Sequence, residues 1–151
     1  MALMLNIPRD LIGVTVDVLR RARFVERVAL WLGRRASHAI TVQEVFVPIQ
    51  ETEADYFKIP QQGMSQLLEH LHARRLMVAA QVHTHPQDAF HSGADDRWAL
   101  VRHAGALSLV IPRFCQETTP ATFVADAKVY VLTDDDQFQL APAAETYEVI
   151  P

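Results

Sequence analysis

The densest run of residues able to bind a metal is His83-Thr84-His85-Pro86-Gln87-Asp88-Ala89-Phe90-His91-Ser92-Gly93-Ala94-Asp95-Asp96, which holds three of the seven histidines. In an extended strand, side chains at i and i+2 leave from the same face, so His83 and His85 point one way and Thr84 the other. Two imidazoles then converge on one point. Pro86 ends the strand, and the loop beyond it can carry Asp95 back as a third ligand, leaving the fourth tetrahedral position for water. Catalytic zinc has that open arrangement. The same residues also have plainer uses. A His-x-His pair alone is more often surface decoration or a hydrogen-bonded part of a core. Ser92 and Asp95 have the Ser-x-x-Asp spacing of a capping box at the start of an apolar helix. The roles can coexist, because a capping serine beside a metal can donate toward the oxygen that becomes negative in a tetrahedral intermediate.

Glu26 is a separate signal. Phe24 to Gly33 is rich in β-branched and aromatic residues and reads as a strand, on which Glu26 shares a face with Val28, Leu30 and Leu32. A carboxylate in an apolar row is costly unless it has a partner. Water activated by a metal is one such partner, and the carboxylate could take its proton as the water attacks a carbonyl. Spacing alone leaves solvent, Arg23 and Arg27 open as alternatives.

The elements that would position these groups follow from periodicity. Pro8 suits a first helical position, and Leu11, Ile12, Thr15, Val18, Leu19 and Ala22 recur at helical spacing. Ile40 to Ile49 reads as a strand paired with the one at 24 to 33. Residues 50 to 61 read as a polar connecting loop with room for a short turn. Gln62 to Leu76 is a helix by its Leu67, Leu68, Leu71 and Leu76, and Met77 to Val82 is an apolar strand running into His83. Ser92 to Ala104 reads as a helix, with Gly105 as the residue after its cap, followed by a strand from Ala106 to Ile111. Val124 to Leu132 and Phe138 to Leu140 flank a turn and read as a late hairpin. This irregular alternation favours an α+β sheet with helices packed against it over a doubly wound parallel fold.

Composition narrows the function. The 151 residues are half apolar and one-fifth charged, which suits one domain with a single core. Fourteen basic against eighteen acidic residues give a net charge of -4, the wrong sign for a partner recognised by its phosphate backbone. The single cysteine, Cys115, cannot form an internal disulfide or a cysteine-rich zinc site, and a reducing compartment is expected. The first residues have neither the charge nor the apolar stretch of a secretory signal, and no apolar run is long enough to span a bilayer, so a soluble cytoplasmic protein is the expectation. Zinc deaminases pair His-x-Glu with Pro-Cys-x-x-Cys, and zincins carry His-Glu-x-x-His on a helix; neither pattern occurs here.

Phe24-Val25-Glu26-Arg27-Val28-Ala29-Leu30-Trp31-Leu32-Gly33, then His83-Thr84-His85-Pro86, then Ala89-Phe90-His91-Ser92-Gly93-Ala94-Asp95 resemble the JAB/MPN domains. The JAMM motif of that family is a distant glutamate followed by His-x-His, seven residues, and Ser-x-x-Asp. The order of elements is similar too, over residues 8 to 112. Here six residues separate His85 from Ser92. A deletion between Pro86 and Ala89 leaves the strand and the helix intact but makes Asp88, His91 and Asp96 alternative ligands. Asp95 is preferred because it keeps the Ser-x-x-Asp spacing.

The resemblance implies one domain over 1–151 with a cytidine-deaminase-like mixed β-sheet flanked by helices. It implies Zn2+ on His83, His85 and Asp95, Glu26 as general base and then acid, and Ser92 as support for the oxyanion. The reaction implied is hydrolysis of the bond after the C-terminus of a ubiquitin-like protein, by deconjugation or precursor processing, in a bacterial pathway with E1-like and E2-like partners. Residues 50 to 62 would form part of the groove for the extended tail, and Glu44 on the neighbouring strand is the substitute should Glu26 not be the base. Relatives that lose these residues serve as non-catalytic scaffolds or dimerisation modules, whereas this chain keeps all of them. The oligomeric state is not legible.

Overall fold

Val28-Ala29-Leu30-Trp31-Leu32 is an unbroken apolar run, and such a run forms a strand only where both faces of a sheet are covered. The computed structural model, which describes residues 4–88, 103 and 105–151, has that arrangement. Ala29 and Trp31 enter one hydrophobic cluster with Ile12, Val16, Leu19, Val82 and Leu109. Val28, Leu30 and Leu32 enter another with Phe57, Leu67 and Leu76. The period of two along one strand thus divides the interior into two layers.

The order along the chain is β1 (Met4–Pro8), α1 (Arg9–Arg20), β2 (Val28–Ala36), β3 (Ala39–Phe46), β4 (Glu51–Thr52), β5 (Phe57–Lys58), α2 (Gln61–Arg74), β6 (Met77–Thr84), β7 (Leu107–Ile111), α3 (Phe123–Asp126), β8 (Lys128–Leu132), β9 (Phe138–Ala141) and β10 (Tyr147–Ile150). Among the described residues, eight strands form one curled mixed sheet in the order β10-β1-β3-β2-β6-β7-β8-β9. β1 lies parallel to both β10 and β3, β6 lies parallel to β7, and the other neighbours are antiparallel. α1 covers one face through Ile12, Val16 and Leu19, and α2 contributes Leu67 to the other. The α+β class with helices against a mixed sheet is therefore observed.

Several boundaries differ from the periodicity reading. Pro8 is not the first residue of a helix but the last of β1, so the helix begins at Arg9. The strand expected from Phe24 starts at Val28, so Glu26 lies in the segment leading into it. The expected strand at 40–49 ends at Phe46, and the loop expected at 50–61 contains the β4–β5 hairpin. The start of the expected late hairpin is the short helix α3. β1 and β10 escaped detection because each has only four or five residues and is stabilised by partners distant in sequence. Gly105 has φ 86°, the left-handed geometry expected after a helix cap. Ser92, Asp95, His91 and Asp96, and with them nearly all of the helix expected over 92–104, lie outside the described residues. No helix among the described residues is long and apolar enough to cross a membrane.

Candidate active site

The site forms where β2 begins and β6 ends. Antiparallel pairing sets Val28 opposite His83. One step outward, the Thr84 N–H donates to the Arg27 carbonyl (3.1 Å) and the Arg27 N–H donates to Thr84 Oγ1 (3.1 Å). This pair of bonds carries the register past the last formal strand residue, and the next opposing pair is Glu26 and His85. Residues directly opposite share a face of the sheet, and the face alternates along each strand. Glu26, Val28, His83 and His85 therefore all project from the face covered by α2 and β5. The prediction that His83 and His85 converge holds geometrically, with ring centroids 5.3 Å apart. The prediction that Glu26 sits in an apolar row holds as well, although Glu26 precedes the strand.

All three groups are removed from water: His83 is 0%, Glu26 1% and His85 3% exposed. Glu26 Oε1 lies 3.4 Å from His85 Nε2. Phe57, brought over by the β4–β5 hairpin, packs against His83 with centroids 5.5 Å apart, walling the pair with an apolar ring. The same hairpin anchors the glutamate, since the Glu26 N–H donates to the Glu53 carbonyl at 2.7 Å. Residues 50–62 thus reach the site, as a wall and an anchor.

Three supporting features had no signal in the sequence. Gln50 uses its side-chain amide as a substitute peptide group: Oε1 accepts from the Val28 N–H (2.9 Å) and Nε2 donates to the Val28 carbonyl (3.0 Å). β3 has already ended at Phe46, and Gln50 satisfies the edge it leaves open. Thr84 points away from the histidines and ties the two strands together. The third is a turn over Arg113, Phe114 and Cys115, all at positive φ (53°, 52° and 61°). Left-handed backbone costs a non-glycine residue on the order of 1–2 kcal/mol. Its N–H groups nevertheless hold the histidine loop, Phe114 donating to the His85 carbonyl (2.8 Å) and Arg113 to the Gln87 carbonyl (2.9 Å), while the His85 N–H donates to Ile111 (2.9 Å). His85 is therefore fixed through its backbone on both sides.

Two neutral imidazoles are donors well suited to zinc. Among the described residues no group of three or more His, Cys, Asp or Glu side chains is gathered as a metal site. Two imidazoles on one face fit a metal as part of a larger ligand set. Asp88 is exposed. Glu44, the alternative base, stands opposite Leu32 midway along β2, where His70 and Arg74 of α2 engage it. Cys115 is buried and its thiol is pushed up to about 11 by that burial, as expected of an inert cysteine.

No family model matches the sequence. The chain is 31% identical over 125 residues to the "Probable metalloprotease y4jG" of Sinorhizobium fredii (strain NBRC 101917 / NGR234), an alignment covering 79% of this chain and 77% of that protein. In three dimensions it is similar to the solution structure of protein DSY2949 from Desulfitobacterium hafniense, with a TM-score of 0.71, 15% identity and coverage of 97% of this chain and 93% of that one. That second likeness concerns the fold alone.

Proposed function

The chain belongs to the family of the probable metalloprotease y4jG, and from that premise we propose that it is a zinc peptidase of the JAB/MPN type. The observation that carries the reading is the burial of Glu26, His83 and His85 on one face, with Glu26 Oε1 3.4 Å from His85 Nε2. A carboxylate and two imidazoles are costly to bury together unless the site uses them.

In this reading His83 and His85 supply two metal ligands and Asp95 the third. Bound zinc would polarise the scissile carbonyl and acidify the attacking water. Glu26 takes the proton as the water oxygen bonds to the carbonyl carbon, then delivers it to the amine nitrogen as the C–N bond breaks. Ser92 donates a hydrogen bond to the carbonyl oxygen while that atom is negative. Phe57 and the surrounding core keep bulk water from Glu26, so its proton passes between reacting atoms.

The substrate we propose is a ubiquitin-like protein joined through its C-terminus to a lysine or to a following peptide, within a pathway that has E1-like and E2-like members. Support comes from the spacing of Glu26, His83, His85, Ser92 and Asp95, and from the β4–β5 hairpin at the site, beside which an extended tail can lie. The test is elemental analysis of protein expressed with zinc, together with mass spectrometry of its products on ubiquitin-like fusions. About one zinc per chain, and a product ending at the native tail of the ubiquitin-like protein, are expected. Protein without metal would instead be a non-catalytic scaffold, and cleavage at unrelated internal bonds would leave a general peptidase.

A further inference from the structure

Glu26 is reached through a segment that the chemistry above does not use. Between the end of α1 and β2, Phe24 is 69% exposed, the most exposed of the large apolar side chains among the described residues. Its ring meets Phe114 edge to face, with centroids 6.3 Å apart. Phe114 belongs to the left-handed turn whose N–H groups hold His85 and Gln87. A strained turn and an aromatic pair with one exposed member, Phe24, therefore adjoin the backbone of the site.

Arginines flank this pair along the chain. Arg20, Arg21 and Arg23 line a cleft of about 560 Å3 with Asp17 and Gln116. Gln116 ties the cleft together, donating to the Arg20 carbonyl (3.1 Å) while its own carbonyl accepts from Arg20 Nη2 (3.3 Å). Burial, and after it the positive charge of Arg21, push the Arg27 guanidinium below its ordinary value. Asp17 pairs with Arg21 and Glu117 with Arg113. Among the described residues, no carboxylate pairs with Arg20, Arg23 or Arg27. On a chain of net charge -4 this is a local positive excess, gathered around an exposed aromatic. Arginine and aromatic side chains together are the composition of interface hot spots.

We propose that this face, Phe24 and Phe114 together with Arg20 and Arg23 of the neighbouring cleft, docks an acidic surface bearing apolar side chains on the substrate protein. The inference rests on the peptidase reading for the identity of its partner. Phe24 would fill an apolar contact and the arginines would steer and orient the acidic groups around it. Because Phe24 lies two residues from Glu26, and the Phe114 N–H is bonded to the His85 carbonyl, a protein seated here rests beside the backbone that carries both groups.

The probe is a fluorescein-labelled peptide of alternating aspartate and leucine, titrated with the full chain and followed by anisotropy. Saturable binding that weakens with added salt is expected. Phe24→Ser should weaken it by about tenfold or more, as loss of an aromatic anchor does. The double reversal Arg20→Glu with Arg23→Glu should do the same, and Arg35→Glu, at the far end of β2, should not. Melting temperatures of the variants confirm that each is folded. No binding, equal binding by all variants, or tighter binding of an oligothymidylate or of anionic vesicles would overturn the proposal. Zinc content and turnover of a short peptide are read on the same wild-type sample. Protein that holds zinc and cleaves but ignores the probe loses this surface alone. Protein that binds the probe at this face but holds no zinc keeps the surface and loses the peptidase reading, so the partner is then not a substrate.

Discussion

Glu26 and His85, 59 positions apart in the chain, meet just beyond the paired ends of β2 and β6, with Oε1 and Nε2 separated by 3.4 Å inside a site closed to water. If Glu26 is the base and His85 a metal ligand, as proposed, mutation should separate the two roles, because proton transfer and metal binding are separable. Glu26→Gln keeps the shape and removes the base. Its zinc content and melting temperature should match those of the unmodified protein, while turnover falls by about 10²–10⁴-fold. His83→Ala should lose metal and activity together. Loss of zinc in Glu26→Gln would make Glu26 a ligand. A near-normal rate would move the base elsewhere, but not readily to Glu44, which is held by α2 opposite Leu32, four residues along β2 from Val28.

The third ligand is testable by substitution. Asp95→Ala should deplete zinc more than Asp88→Ala, His91→Ala or Asp96→Ala, as measured by elemental analysis after dialysis. A larger loss in Asp88→Ala would show that the shortened loop between His85 and Ser92 hands the ligand role to an earlier residue.

Gln50→Ala should destabilise the protein by roughly 1–3 kcal/mol, because the Val28 N–H and carbonyl both lose a partner where β3 has ended. Urea unfolding measures this. Activity should fall too, since Val28 opposes His83 and its displacement would move Glu26. Unchanged unfolding would mean that water replaces the amide.

Two glycines should respond with opposite sign. A Cβ on Gly33 would approach the Thr41 carbonyl oxygen to 2.4 Å at a break in the β2–β3 register, so Gly33→Ala should destabilise. A Cβ on Gly13, inside α1, meets nothing within 4 Å, so Gly13→Ala should stabilise by about 0.5–1 kcal/mol. Thermal unfolding of the two variants decides the signs.

Alkaline pH should weaken the fold. Burial pushes Cys115 from 9.0 to about 11 and Tyr147 from 10.0 to about 12, so above pH 9 the unfolded chain releases protons that the folded one retains. Stability falls wherever the folded state binds more protons, here from pH 9 upward as Cys115 and then Tyr147 ionise in the unfolded chain. Urea midpoints for wild type and Cys115→Ala between pH 8 and 11 should converge with rising pH. Parallel curves would remove Cys115 as a cause.

The sequence by itself determined which groups could do chemistry. His83 and His85 share a face because a strand alternates, and Glu26 is conspicuous because Val28, Leu30 and Leu32 follow it at the same period. Those are local facts, set by backbone geometry within a few residues. The α+β class was legible for the same reason, since α1, α2, β2 and β6 each carry their own periodic pattern. Only the tertiary structure decided that Glu26 stands opposite His85, because that relation depends on the register between two strands and on the Arg27–Thr84 bonds that extend it. The bonds of Gln50 to Val28, the placement of Phe57 against His83 and the left-handed turn at Phe114 were likewise invisible. Each satisfies a need created by another part of the chain: an open strand edge, an uncovered imidazole, a loop requiring donors. Such needs exist only once distant segments have met, and no pattern of neighbouring residues records them.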